Sequence, residues 1–108
     1  MNKFTYESKY GSYQDCYFIS GRYPNGNLGV EIWSDLEGPI TKVTVNPDVK
    51  LEDDYIAIKD YSENEGMVDF LVSKGLIVEN PVMTIPSGFV FIPVYRLTDV
   101  GKISFSTD

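Results

Sequence analysis

The sequence predicts a single α+β domain in which an antiparallel meander sheet of about five to six strands packs against one main helix. Three observations predict this fold class. Short apolar runs alternate with polar residues in the first half, turn residues separate these runs, and a helical period follows at about 62–74. The length of 108 residues suits one domain, 1–108, and 43% apolar residues can form its core.

The first half of the chain predicts four strands. Leu28, Val30 and Ile32 alternate with polar or small residues, as in a strand with one buried face. An Asn-Gly pair at 25–26 predicts a tight hairpin, because both residues tolerate a positive φ. Short turns between the runs favour antiparallel neighbours. The predicted strands are 3–10, 13–23, 28–34 and 40–46.

The second half changes period after a short predicted strand at 54–59. Met67, Phe70 and Leu71, with the stem of Lys74, fall on one face of a helix. Ser62 and Glu65 have the spacing of a capping box, and Gly75 is a typical end signal. The sequence therefore predicts a helix at about 62–74 whose apolar side covers one face of the sheet.

Three weaker elements complete the prediction. Residues 76–78 indicate a short strand and 89–97 a long last strand. Pro93 places that last strand at an edge or gives it a bulge, because proline cannot donate to a ladder. Residues 98–102 favour a short terminal helix. The expected core contains Leu28, Val30, Ile32, Val43, Val45, Phe70, Leu71 and Val90.

Charge is concentrated in one segment. The net charge is −7. Residues 48–69 hold eight acidic and two basic residues, and therefore −6 of that total. An acidic surface repels the backbone of nucleic acids and anionic membranes, so neither is an expected partner. The charge predicts a protein partner with a basic surface.

The acidic segment and one aromatic residue supply the candidate interaction site. The sharp hypothesis is that carboxylates on 48–69 imitate a phosphate backbone and occupy a basic, nucleic-acid-binding surface. The ordinary alternative is a solvated face. A second function class is a structural subunit that uses the aromatic strands, with Trp33 as an exposed anchor. The candidate residues are Glu52, Asp53, Asp54, Asp60, Glu63, Glu65 and Trp33.

Residues for catalysis are scarce. The chain has no histidine, which removes the commonest general base and most zinc sites. Cys16 lies in an apolar strand and is interpreted as a buried structural thiol. The acids lack the calcium-loop pattern, and no glycine motif for phosphate occurs, so no metal or cofactor is expected. The prediction is a non-catalytic protein, with an enzyme of unrecognised type as the remaining alternative.

The remaining expectations concern location. A single cysteine permits no intrachain disulfide, and the start of the chain lacks the apolar run of a signal peptide. No stretch has the length and apolarity of a membrane span. These features predict a cytoplasmic protein and leave its oligomeric state open.

Four stretches also carry a family resemblance, namely 23–28 (Tyr-Pro-Asn-Gly-Asn-Leu), 31–39, 59–66 and 95–102 (Tyr-Arg-Leu-Thr-Asp-Val-Gly-Lys). Across nearly the whole chain the sequence resembles an uncharacterised group of small acidic proteins encoded on conjugative and other mobile elements of Gram-positive bacteria. That resemblance implies an accessory role in element transfer, maintenance or defence evasion. It implies no catalytic residue.

Overall fold

The computed structural model describes residues 3–106. Most of its regular structure is antiparallel sheet, with two short helices and one 3-10 turn at Ser62–Asn64. The predicted α+β class is confirmed at this level. The elements are β1 (Phe4–Ser8), β2 (Gly11–Arg22), β3 (Leu28–Ser34), β4 (Gly38–Lys42), β5 (Tyr55–Ala57), α1 (Met67–Ser73), β6 (Met83–Ser87), β7 (Val90–Arg96) and α2 (Asp99–Ser104).

The first sheet is the predicted meander, in the order β1-β2-β3-β4. Its central hairpin turns at Gly26, which has a φ of 91° and donates its N–H to the carbonyl of Tyr23 over 2.7 Å. Strand β3 has the predicted bounds, and Leu28, Val30 and Ile32 are buried. Local alternation and turn chemistry therefore suffice to specify this sheet.

A second sheet, in the order β5-β7-β6, replaces the predicted single sheet. Strand β4 ends at Lys42 rather than 46, and the segment 43–45 then joins the two sheets. Val43 donates its N–H to Val30 of β3 and accepts from Lys59 through its carbonyl. Val45 donates to Ala57 of β5. The chain crosses from one sheet to the other here, where the backbone groups of 43–45 find partners on both sides.

Strand β7 is central, not an edge strand as Pro93 had predicted. Pro93 is tolerated because it lies where the ladder with β5 ends. Ile58 donates its N–H to the Pro93 carbonyl over 3.0 Å. Pro93 has no N–H with which to bond Ile58 in return, and no pair of the regular ladder is lost at this position. The edge is β6, a strand that the sequence analysis missed. The predicted strand at 76–78 is only an isolated bridge between Ile77 and Leu97.

Helix α1 is shorter than the predicted 62–74. The capping box is wrong: Ser62 has a φ of 57° and starts the 3-10 turn, and α1 begins after Gly66. The predicted end is confirmed. The N–H of Gly75 is bonded to Val72 and that of Leu76 to Leu71, with Gly75 at a φ of 73°. This pattern satisfies the last carbonyls of the helix.

Helix α2 confirms the predicted terminal helix. The Thr98 hydroxyl accepts the N–H of Gly101 over 3.0 Å, as an N-cap does. Gly101 packs against the backbone of Leu76, where an added Cβ would lie 2.0 Å from the carbonyl oxygen. Only glycine therefore allows α2 to dock this closely.

The main core lies between the first sheet, β5, β7 and both helices. Phe70 of α1 contacts the rings of Phe4, Tyr6 and Phe18, which confirms that this helix covers a sheet face. Of the expected core, Leu28, Val30, Ile32, Val43 and Leu71 are buried, whereas Val45, Phe70 and Val90 are only partly buried. A smaller core on the other face of the second sheet contains Leu51, Ala57, Ile92 and Val94.

Candidate interaction surfaces

The first group of predicted acids lies in the loop before β5. Glu52 and Asp53 are exposed, and Asp54 is half-buried. Lys50 lies 3.2 Å from the Asp53 carboxylate, and Arg96 lies 3.6 Å from that of Asp54. A hydrogen bond to the Tyr55 hydroxyl, followed by the nearby acids, raises the pKa of Arg96. Two of the three acids in this group therefore already have a basic partner within the chain.

The second group surrounds the start of α1. Asp60 accepts the N–H groups of Gly66 and Val68 with one carboxylate oxygen, at 3.0 and 3.1 Å. Glu63 forms an ion pair with Lys59, and this hydrogen bond is the main reason why its pKa falls to about 2. Glu65 is exposed. Two of these three acids thus have structural roles.

Members of the two groups border different grooves. Asp53 and Asp54 border a groove with Arg22 and Lys102, whereas Glu63 borders one with Lys42. Within residues 3–106, no three Asp, Glu or Cys side chains converge closely enough to hold a metal ion. The fold therefore places acids of this segment at two grooves, each of which also has basic side chains.

Trp33 is half-buried on the outer face of the first sheet, between Tyr17 of β2 and Pro39 of β4. Its indole N–H donates to the Glu31 carboxylate over 2.8 Å, so its polar group is satisfied locally. Trp33 is therefore only partly exposed, and its role as an anchor stays a prediction. The Trp33 ring lines a groove that continues along Ile40.

That groove meets a larger one, of about 500 Å³, on the far side of β4. Residues 40–42 line both grooves. Tyr61 and the Lys59–Glu63 ion pair also line the larger groove. Trp33 lines the smaller groove and Glu63 lines the larger one. Two acids and two lysines line the pair of grooves, namely Glu31, Glu63, Lys42 and Lys59.

One exposed apolar surface was missed by the sequence analysis. We call it the hairpin surface: Val82, Met83, Phe89 and Phe91, on and beside the β6–β7 hairpin. Met83 is paired with Val94, so its side chain lies on the opposite face of the hairpin from Phe91. Phe89 at the turn is 107% exposed and Phe91 is 70% exposed. Residues 80–95 contain no Asp, Glu, Lys or Arg, which was a readable signal in so acidic a chain.

The hairpin surface is partly an uncovered continuation of the main core. Alternate residues of a strand share a face, and Tyr95 and Leu97 of β7 point into that core. Phe91 lies on the same face but beyond the cover of the helices, opposite Pro86 of β6. The second sheet therefore extends past the body of the domain with an apolar side exposed.

Cys16 is fully buried, in agreement with its interpretation as a structural thiol. Its Sγ donates to the Tyr13 carbonyl over 3.3 Å. Burial raises the pKa of the thiol, so the thiolate that would act as a nucleophile is disfavoured.

Comparison with known proteins finds no matching family model, no matching curated protein and no matching solved structure. Over residues 3–106, no helix has both the length and the apolarity needed to span a membrane.

Proposed function

We propose that the protein is a non-catalytic interaction domain that binds another protein chain through the hairpin surface. The observation that carries this proposal is the exposure of Phe89 and Phe91 on an uncharged hairpin of an acidic chain. Contiguous apolar surface is costly to leave in water, and on monomeric proteins it commonly marks an interaction site. Phenylalanine and methionine are also enriched where protein interfaces bury their centres.

The geometry favours this surface over the acidic segment as the centre of binding. Asp54, Asp60 and Glu63 already have partners within the chain, so binding a basic protein would compete with existing interactions. The hairpin surface has no such competition. The proposal therefore resembles the structural-subunit alternative, with the β6–β7 hairpin in place of the tyrosine-rich strands.

Site-specific photo-crosslinking in the native cells tests the proposal. A photoreactive phenylalanine analogue at position 89 should cross-link to one defined protein, either another chain or a second copy. The matched control carries the analogue at position 10, because Tyr10 is a 72% exposed aromatic residue in the turn between β1 and β2 of the other sheet. Equal labelling from both positions, or none from position 89, would contradict the proposal.

The acidic segment supports a second candidate function, the binding of a basic protein surface, with mimicry of nucleic acid as its sharp form. Asp48, Glu52, Glu65 and Asp69 are exposed and form no ion pair within the described part of the chain. These carboxylates can still attract a basic partner over a Debye length of about 8 Å at physiological salt.

A charge-neutral variant tests this second candidate. Changing Glu52→Gln, Asp53→Asn and Asp54→Asn together should slow association with a basic partner and weaken its salt dependence, because rim charges act mainly on the association rate. The measurement is the association rate at low and at high salt with the protein captured from position 89. Unchanged rates at both salt concentrations would assign the acids to solubility alone.

The wider role is also a proposal. The resemblance to accessory proteins of mobile elements in Gram-positive bacteria suggests that the bound chain belongs to the machinery of such an element. The chemistry of the hairpin surface requires only that this chain present a complementary apolar patch. A cytoplasmic location is part of the same proposal.

A further inference from the structure

The hairpin surface has two geometrical properties that restrict what can cover it. It lies on a protruding hairpin, and its two aromatic side chains lie close together in sequence, with Phe89 at the turn and Phe91 on β7 opposite Pro86. A protruding, uncovered sheet face can pack against an identical face from a second molecule related by a two-fold axis. Each copy then covers the aromatic residues of the other.

Charge favours a second copy at this place. Each chain carries a net charge of −7, so two copies repel one another over most of their surfaces. Residues 80–95 carry no charged side chain, and the hairpin is therefore where two acidic chains can meet without placing carboxylates together. A basic partner would gain nothing from an uncharged hairpin and would be drawn elsewhere.

Hydrogen bonding argues for contact between faces, not between strand edges. The Pro93 carbonyl and the Leu97 N–H point towards β5. The residues of β7 at the positions in between therefore direct their backbone groups towards β6. The register then leaves Thr84 and Pro86 facing the open edge of β6. Proline has no N–H, and a second β6 strand could not form a regular ladder with this edge.

The available area sets the strength of the contact. An aromatic side chain buries 150–250 Å², so Phe89 and Phe91 offer on the order of 300 Å² per copy. Met83 is paired with Val94 and therefore lies on the opposite face from Phe91. Even with Val82, the contact stays below the roughly 1,600 Å² of a standard stable interface. The expected complex is therefore weak and depends on protein concentration.

We infer that two copies of this chain form a reversible dimer by packing their hairpin surfaces face to face across a two-fold axis. This inference rests on the proposed role of the hairpin surface and specifies its occupant. The dimer removes the exposed aromatic side chains from water and leaves the acids of both copies at the outside.

Sedimentation velocity of the full chain over a wide concentration range tests the dimer. The wild-type dimer fraction should rise with concentration and also with salt, because salt screens the repulsion between two acidic chains. Binding to a basic partner would show the opposite salt response. The double variant Phe89→Ser with Phe91→Ser should weaken self-association by about tenfold or more, as loss of central aromatic contacts does.

The matched control is the double variant Tyr10→Ser with Leu36→Ser, because both residues are 72% exposed and lie in turns of the first sheet. It should self-associate as the wild type does. Thermal melting checks that both variants remain folded, as expected for exposed positions.

Two results would overturn the dimer: a wild-type monomer at every concentration up to about 1 mM, the range of the weakest specific contacts, or equal loss of the dimer in both double variants. Neither result decides the proposed function. A monomer that still cross-links from position 89 to a different protein would refute only the second copy as occupant. A monomer without any cross-link would refute both.

Discussion

Asn64 is fully buried in the segment between β5 and α1. Its side-chain nitrogen donates to the Lys42 carbonyl over 2.5 Å, and its side-chain oxygen accepts the Thr41 hydroxyl over 2.6 Å. One amide side chain thereby satisfies the end of β4, where the chain leaves the first sheet. No local sequence pattern predicts this role, because Lys42 and Thr41 lie more than twenty residues away from Asn64 in sequence.

Replacing this amide should be costly. Asn64→Ala leaves the part-buried Lys42 carbonyl without this donor. Such a loss costs up to about 1–3 kcal/mol in the free energy of unfolding. The matched control is Asn80→Ala, at an exposed loop position, which should change stability by less than about 0.5 kcal/mol. Urea denaturation measures both. Equal stability of the two variants would show that the amide bonds are unimportant.

The ion pair of Glu63 should contribute a pH-dependent part of stability. Its pKa falls from 4.5 to about 2 in the folded protein, chiefly because Lys59 donates a hydrogen bond to the carboxylate. The folded state then binds fewer protons than the unfolded state between these values. Stabilisation is therefore full above about pH 4.5 and lost as the pH falls towards 2. The effect is modest, since the Glu63 side chain is 44% exposed to screening solvent.

Unfolding midpoints at pH 7 and pH 3 test this contribution. Glu63→Gln should be less stable than the wild type at pH 7, and the difference should shrink at pH 3. The control is Glu65→Gln, an exposed acid without an ion pair in the described part of the chain. A difference between wild type and Glu63→Gln that grows on acidification would reverse the assigned sign.

At the scale of the element, α1 depends on a cap that lies outside its own segment. Asp60 receives the N–H groups of Gly66 and Val68, which the helix itself cannot satisfy. Asp60→Ala should cost about 0.5–2 kcal/mol, the usual range for loss of a cap. Asp60→Asn keeps the accepting oxygen and should retain most of the stability. Equal losses in the two variants, measured by thermal melting, would argue against capping.

Packing of α1 leads to a further prediction, in which Leu71 contributes more to stability than Phe70. Leu71 is fully buried, whereas Phe70 is half-buried among Phe4, Tyr6 and Phe18. Leu71→Ala should cost about 2–5 kcal/mol, as expected for a buried cavity. Phe70→Ala should fall near or below the lower end of the 3–5 kcal/mol typical of a fully buried phenylalanine. A negligible effect of both substitutions on denaturant midpoints would show that α1 does not stabilise the sheet.

At the scale of the whole molecule, the fold separates charge from apolar surface. The acids of 48–69 are distributed around the start of α1 and the loop before β5, and the β6–β7 hairpin carries none. In the proposed dimer, repulsion between the acidic surfaces favours contact at the hairpin surface over other modes of association. This arrangement also makes salt a diagnostic variable for each proposed partner.

No metal should stabilise the domain, because its carboxylates are dispersed. Thermal melting with calcium, with magnesium or with a chelator should give the same midpoint, since a ligand that binds the native state raises stability. All melts use arginine-free buffers of the same ionic strength. This controls for the screening of charges by divalent ions. A rise of several degrees with calcium alone would require a site that the sequence pattern does not predict.

The sequence by itself determined the local features. The meander β1–β4, the bounds of β3, the turn at Gly26 and the end of α1 at Gly75 follow from alternation and positive φ. Each depends on residues within a few positions of one another, so local rules are sufficient. Burial of Cys16 and Val30 follows from the same alternation.

Only the tertiary structure decided how distant segments pair. The division into two sheets, the central place of β7 and the edge position of β6 depend on which strands meet across the chain. The Asp60 cap, the buried Asn64 and the half-buried Trp33 likewise depend on neighbours brought in by folding. Long-range pairing is selected by the joint need to bury apolar faces and satisfy backbone groups, and no short window of sequence contains that balance.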